Sequence, residues 1–367
     1  MTKRRRRDQL KVEDIETPAL LIDLNLMEKN LRTMKEWLAG KDLRLRSHFK
    51  TPKTPIIAWK EIEYGAIGVC AQKVGEAEVL VQAGMKDILI TNQIVDPVKI
   101  DRMISLQRYS KIQVIVDNPV NVKCLSETAL KKNTKLGVLV EVDVGGKRCG
   151  VQPGKETVEL VRQISKMQGV EFKGLQCYAG YLQMAEHKIG FEKKMEEIKK
   201  ATERVDTTKD EIEDAGFDVE TVTGAGTGTH RYEYEHYDEI QPGSYVLMDA
   251  SYKPCAPWFD IALTLLATIT STPEPNRVVF DAGGKSISTD YGPPSLKDFK
   301  NTKCTIPSDE HGMIHFNESE NHFDIGEKIE IYPSHLDTTI NLHDKFYAVR
   351  NREVEAVWPI LARGKFV

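Results

Sequence analysis

Short runs rich in Val, Ile and Leu recur through the first two-thirds of the chain, each followed by a charged, amphipathic stretch, and this alternation admits few folds. The runs fall at 43–49, 65–71, 87–92, 113–118, 136–145, 172–180, 221–226 and 239–246. Runs that are apolar throughout suit strands buried on both faces, and strands alternating with helices make parallel βαβ units. One helix is well delimited: Gly75-Glu76-Ala77-Glu78 opens it, and Gly84 closes it where a left-handed terminal glycine belongs. A longer amphipathic stretch covers 191–216. Eight such units in about 210 residues predict a closed eight-stranded β/α barrel of the TIM type, rather than an open, doubly wound sheet.

The pattern changes after about residue 249. Strand-like runs follow at 261–270, 277–281, 328–332 and 346–350, punctuated by Asn276, Gly283-Gly284 and Pro293-Pro294 and without a long amphipathic helix. A length of 367 residues suits a barrel of roughly 250 residues plus a smaller domain. The expected class is α/β, with a barrel over 24–250 and a C-terminal β-domain over 251–367. An apolar strand at 19–23 precedes the barrel. Apolar content of 40% and charged content of 29% provide for a large core.

A formal net charge of -4 argues against nucleic acid as a partner. The basic cluster Lys3-Arg4-Arg5-Arg6-Arg7 reads as a solvated terminus. Six scattered cysteines form no C-x-x-C pair, which removes support for a zinc knuckle. No secretory apolar segment opens the chain and no run of about 18 apolar residues occurs. A cytoplasmic protein with reduced thiols and no membrane partner is expected.

Catalytic groups of a β/α barrel lie at the C-terminal ends of its strands. Here those ends read Arg46-Ser47-His48-Phe49-Lys50, Asp143-Val144-Gly145-Gly146-Lys147-Arg148, Gln176-Cys177-Tyr178-Ala179-Gly180, Gly224-Ala225-Gly226-Thr227-Gly228-Thr229 and Gln241-Pro242-Gly243-Ser244-Tyr245. A glycine-rich turn with two threonines exposes amides and hydroxyls that suit a phosphate, though it reads equally as a tight turn. The loops after the last two strands are the usual phosphate site of this fold. Lys50 taken alone reads as a solvated lysine, as most lysines are; at the end of a buried strand and facing such a loop, it can form a Schiff base with an aldehyde cofactor. That use requires a lowered pKa, which a partly buried site supplies. Arg148, reaching a pyridine nitrogen, would disfavour protonation there and limit the ring's pull on electrons. Tyr178 is either a core aromatic or a contact for the cofactor ring or a carboxyl group.

A second constellation is Tyr332-Pro333-Ser334-His335-Leu336-Asp337-Thr338-Thr339. The H-x-D spacing is expected to put His335 and Asp337 on one face of an extended strand. An imidazole nitrogen and a carboxylate oxygen suit a divalent cation and leave positions open for water and substrate. Asp309-Glu310-His311 and His343 are further polar candidates.

Together these segments resemble the D-threonine aldolase and D-serine dehydratase group of fold-type III pyridoxal phosphate enzymes, whose barrel is shared with alanine racemase. The landmarks include the Lys50, Arg148, 224–229 and His335 motifs above, with Gln72-Lys73-Val74-Gly75-Glu76-Ala77-Glu78, Asp87-Ile88-Leu89-Ile90, Val142-Asp143-Val144-Gly145, Gly174-Leu175-Gln176 and Pro242-Gly243-Ser244-Tyr245. The resemblance runs from Thr17-Pro18-Ala19-Leu20 to Trp358-Pro359. It implies that Lys50 holds pyridoxal 5'-phosphate covalently, that Arg148 meets the pyridine nitrogen and that Thr227, Gly228, Thr229, Gly243 and Ser244 gather round the phosphate. It also implies that the strand at 19–23 helps build the β-domain, and that this domain closes the barrel mouth of a second subunit in a homodimer with the active site at the interface.

Within the group, dehydratases resemble H-x-C, which suits zinc through a thiolate. Aldolases resemble H-x-D, which suits manganese or magnesium better than zinc. Asp337 therefore implies an aldolase acting on a β-hydroxy-D-amino acid such as D-threonine. The rivals are a dehydratase giving a 2-oxo acid and ammonia, a racemase, and a non-enzymatic pyridoxal phosphate carrier. Three residues depart from the group's pattern: Ser47 replaces a Pro, Pro52 a His, and Met184 a His.

Overall fold

The structure, a computed structural model, describes residues 10–317 and 321–367. The basic cluster at 3–7 lies outside the described residues. The chain divides into two compact units. One comprises Lys35–Lys50, Pro55–Gly243 and Gly364–Val367; the other comprises the described residues up to Met34, Thr51–Thr54 and Ser244–Arg363.

The first strand, β1 (Ala19–Asp23), belongs to the second of these units. The next eight are β2 (Arg44–His48), β3 (Gly68–Ala71), β4 (Asp87–Ile90), β5 (Lys111–Val116), β6 (Leu136–Glu141), β7 (Val170–Cys177), β8 (Thr221–Gly224) and β9 (Glu239–Ile240). Each pairs in parallel with its successor, and β9 pairs with β2, so the sheet closes. All eight expected runs are present, and the open sheet is excluded. Cys70, Leu89, Ile115 and Leu139, from four successive strands, form one buried cluster, which is why these runs carry no polar alternation.

Several strands stop before the apolar run does. β6 ends at Glu141 rather than 145: Val142 bridges Val151, the Asp143 amide donates to the Val151 carbonyl, and the chain then loops out, with Gly145 at φ +123. β9 has two residues, since Pro242 soon follows and offers no N–H to continue a ladder. At the N-terminal end of the barrel, buried Arg46 binds Glu239 through two contacts (2.8 and 3.1 Å) and Asp87 through a third (2.5 Å). Its part in the 46–50 motif is thus to tie three strands together. The helix expected near 73–84 spans Val74–Gln82, and the one near 191–216 spans Phe191–Asp214.

The second unit is built on strands. After β1 come β10 (Leu263–Glu274), β11 (Arg277–Phe280), β12 (Ser295–Leu296), β13 (Lys303–Thr305), β14 (Gly312–His315), β15 (Lys328–Tyr332), β16 (Lys345–Arg350) and β17 (Glu353–Pro359). Their order is β13-β14-β11-β10-β1-β16-β17, with β15 pairing β10 and β12. β1 runs antiparallel to β10 and parallel to β16, so the early strand does build this domain. Its Ala19 and Leu21 pack with Val12, Ile15, Leu266 and Val349. Among the described residues no helix is long and apolar enough to cross a membrane.

Candidate active site

In the barrel unit, Lys50 occupies the turn after β2, and its side chain is exposed rather than partly buried as expected. Two bonds to the Pro242 carbonyl, from the His48 amide (3.2 Å) and the Ser47 hydroxyl (3.1 Å), join its strand to the 242–243 loop. Ser47 also donates to buried Glu61, a bond that a proline at 47 could not make. The His48 ring lies 3.0 Å from the Thr91 hydroxyl and accepts the Lys50 amide at 3.3 Å. That contact steadies the turn from which the lysine projects.

Arg148 sits on the loop after β6. Asp143 Oδ1 accepts the amides of Gly145 (2.9 Å) and Lys147 (3.0 Å), which shapes the excursion that delivers the arginine. The guanidinium lies 5.7 Å from the centre of the Tyr178 ring, within cation–π range, so two of the expected residues meet. Beneath it, Glu141 Oε1 is 3.5 Å from Arg148 Nη2. Burial pushes the Glu141 pKa up, and hydrogen bonding from Gln93 and the Arg148 charge oppose that. Gln93 also reaches Asp117, 3.2 Å away. In the sequence Glu141 lay inside the expected run at 136–145 and Gln93 just past the one at 87–92, and neither carried a signal of its own.

The glycine-rich loop leaves β8 through Ala225, which holds φ +55, a conformation disfavoured for a residue with a side chain. Most of the loop's polar groups turn inward. The Gly226 amide donates to Thr229 Oγ1 (3.2 Å), the Gly228 amide to Gln183 Oε1 (3.0 Å), and the Thr229 amide to the Gly226 carbonyl (3.1 Å). Thr227 differs: it is buried, and its hydroxyl has no hydrogen-bond partner among the described residues. A buried hydroxyl without a partner is costly, and an anionic oxygen would satisfy it. The loop therefore fits a phosphate. Gly243 ends the long segment of the barrel unit, and buried Ser244 opens the last segment of the other unit.

In the strand-rich unit, His335 and Asp337 do not lie on a strand. His335 is the extended cap residue of a short helix, Leu336–Ile340, and Asp337 stands in its first turn. The strand geometry expected for H-x-D is overturned because buried Asp249 accepts the Leu336 amide at 2.9 Å and starts the helix there. The pair still meets: His335 Nε2 lies 3.7 Å from Asp337 Oδ2. His335 Nδ1 lies 2.7 Å from Asp290 Oδ2, and Tyr291 stacks on the ring at 3.9 Å. Asp337 Oδ1 accepts from Thr51, the residue after Lys50 in the chain, at 3.0 Å. One imidazole nitrogen and one carboxylate thus converge without a thiolate, a donor set that fits a hard divalent cation. His343 is engaged with the Ser286 carbonyl at 2.7 Å, and Asp309, Glu310 and His311 are exposed.

Comparison with known proteins agrees over nearly the whole chain. The family model for the alanine racemase N-terminal domain matches residues 22–251, and one described as "Putative serine dehydratase domain" matches residues 262–349. The chain is 38% identical over 358 residues to a D-threonine aldolase of Arthrobacter sp., covering 95% of this chain and 93% of that protein. It is 37% identical to a 3-hydroxy-D-aspartate aldolase of Paracoccus denitrificans (strain Pd 1222), covering 96% and 93%. Identity to a D-serine dehydratase of Dictyostelium discoideum is lower, 26% over 93% of this chain and 95% of that protein. The solved structure of D-threonine aldolase from Filomicrobium marinum superposes with a TM-score of 0.93 at 37% identity, covering 99% of this chain and 100% of that one.

Proposed function

Because the chain belongs to the alanine racemase N-terminal domain family, carried with a second domain of the serine dehydratase type, we propose that it is a pyridoxal phosphate- and metal-dependent aldolase that cleaves β-hydroxy-D-amino acids to glycine and an aldehyde. The observation that carries the aldolase reading is the convergence of His335 with the carboxylate of Asp337. The greater identity to aldolases than to a dehydratase supports it. D-Threonine and 3-hydroxy-D-aspartate are the substrate types that the relatives' names point to.

Pyridoxal phosphate, when bound, supplies the sink for the electron pair released as the Cα–Cβ bond breaks. In this reading Lys50 holds its aldehyde carbon, the Thr227 hydroxyl meets its phosphate, and Gly228, Thr229, Gly243 and Ser244 line the phosphate position without giving it the groups already bonded within the loop. Arg148 is assigned to the pyridine nitrogen, where a permanent cation keeps that nitrogen unprotonated and moderates the ring's pull. Tyr178 is assigned to the cofactor ring or the substrate carboxyl group. His335 and Asp337 are assigned a divalent cation, manganese or magnesium in preference to zinc, whose Lewis acidity acts on the substrate hydroxyl. A homodimer completes the reading.

The test is incubation of the pure protein with D-threonine and Mn²⁺, assaying acetaldehyde and glycine against 2-oxo acid and ammonia. Aldehyde and glycine in equal amounts are expected. A 2-oxo acid in their place would overturn the aldolase reading.

A further inference from the structure

Two side chains outside the glycine-rich loop hold Gly228 by both of its backbone groups. Gln183 Oε1 accepts the Gly228 amide at 3.0 Å, and Lys194 Nζ donates to the Gly228 carbonyl at 2.9 Å. Gln183 reaches further, donating 2.8 Å to the Thr229 hydroxyl, which itself accepts the Gly226 amide. One amide side chain thus braces the loop at two residues and, through Thr229, at a third.

The fit is close. A Cβ on Gly228 would lie 1.9 Å from the Gln183 carbonyl oxygen, and one on Gly226 would lie 2.3 Å from its side-chain oxygen. Lys194 is fully buried and pairs with Glu186 at 2.7 Å. Gly190, at φ +80, makes the turn between the helix bearing Glu186 and the helix bearing Lys194. A buried lysine is expensive unless it is paired and hydrogen-bonded, and this one has both partners. Since Glu186 offsets its charge, the contribution of Lys194 to the loop is positional more than attractive.

With these bonds in place, the amides of Gly226, Gly228 and Thr229 are all engaged within the protein, while the buried Thr227 hydroxyl is left without a partner among the described residues. We propose that Gln183 and Lys194 are positioning residues that pre-form the loop around Thr227, and so set the preference of the site for a phosphorylated vitamer over the free pyridoxal that lacks the phosphate. The inference rests on the pyridoxal phosphate reading of the site. Its physical basis is preorganisation: a loop already ordered loses less entropy when it meets its anion.

The test compares full-length apoprotein of wild type, Gln183→Leu, Lys194→Met and Lys194→Arg. Each is titrated separately with pyridoxal phosphate and with pyridoxal, followed by visible absorbance, and its thermal unfolding is recorded. Wild type should bind the phosphorylated form more tightly. Gln183→Leu and Lys194→Met should weaken pyridoxal phosphate by roughly tenfold to a hundredfold, the range typical of outer-shell partners, and leave pyridoxal binding unchanged. Lys194→Arg should recover most of the loss. Equal weakening of both vitamers, or no weakening of either, overturns the clamp. If one variant unfolds, the other carries the comparison, and unfolding of both marks the pair as structural and overturns it too. A wild type that binds neither vitamer refutes the cofactor reading instead.

Discussion

His335 Nδ1 lies 2.7 Å from Asp290 Oδ2, and in the proposed metal site this contact would decide which ring nitrogen is offered to the cation. A carboxylate acceptor keeps the proton on Nδ1, so the lone pair falls on Nε2, the atom 3.7 Å from Asp337. Asp290 is itself fixed by the hydroxyls of Ser288 (2.7 Å) and Thr338 (3.1 Å). Burial opposes its charge, but these bonds and His335 hold its pKa below the ordinary value.

Asp290→Asn should therefore lower divalent-metal affinity by roughly tenfold to a hundredfold while leaving cofactor content unchanged. Competition with a metallochromic chelator measures this directly. Unaltered metal affinity would remove Asp290 from the account.

Removal of metal with a chelator should abolish aldehyde release, and Mn²⁺ or Mg²⁺ should restore it. Asp337→Ala should respond only to much higher metal concentrations, since a two-residue donor set has then lost one ligand. Full activity of the stripped wild type would contradict the assigned role of His335 and Asp337.

Lys50→Ala should lose covalent attachment of the cofactor. After borohydride reduction, intact-mass spectrometry should find the added mass on wild type and not on the variant. A label that persists in the variant would relocate the attachment point.

Glu233 is fully buried just after the glycine-rich loop, and burial pushes its pKa up to about 7, against the lowering effects of Thr229, His236 and Lys194. Its unfolded value is 4.5, so the native state holds more protons between those pH values and stability falls as pH rises through that window. The full effect is about 3 kcal/mol, taking ~1.4 kcal/mol per unit. Glu233→Gln should accordingly be stabilised relative to wild type at pH 8 and show little difference at pH 4.5. Denaturant unfolding across this range gives the comparison, and parallel curves at all pH values would refute it.

At the opposite end of the barrel, Arg46→Met should cost about 3 kcal/mol, because buried Glu239 loses both of its bonds from Arg46 and keeps only the half-exposed Arg44, 3.8 Å away. Unfolding in urea reports that loss. The kinetics of the surviving folded protein should be near normal, since Arg46 binds residues that begin β4 and β9, away from the strand ends that carry Lys50 and Arg148.

The barrel was readable because chain order and spatial order coincide in it. Eight apolar runs became β2 to β9, and each active-site candidate stood at a strand end by counting alone. Departures arose where a residue's fate depends on a distant partner. The run at 136–145 had apolar character to spare, but past Glu141 it pairs with Val151 on its own returning loop instead of extending the strand. The H-x-D pair had strand spacing, but Asp249, 87 residues from Leu336, capped a helix there instead.

Residue types, positions along the chain and the family resemblance were enough to single out Lys50, the loop at 224–229 and His335 with Asp337 as candidates. Nothing local in Ser288-Thr289-Asp290 or in Gln183 marks either as part of a site. Each acts on a residue 45 positions away, His335 and Gly228 respectively. Periodicity records burial, which each residue experiences by itself. A hydrogen bond between two loops depends on how the intervening chain packs, and only the folded protein settles which atoms it engages and which, like the Thr227 hydroxyl, it leaves open.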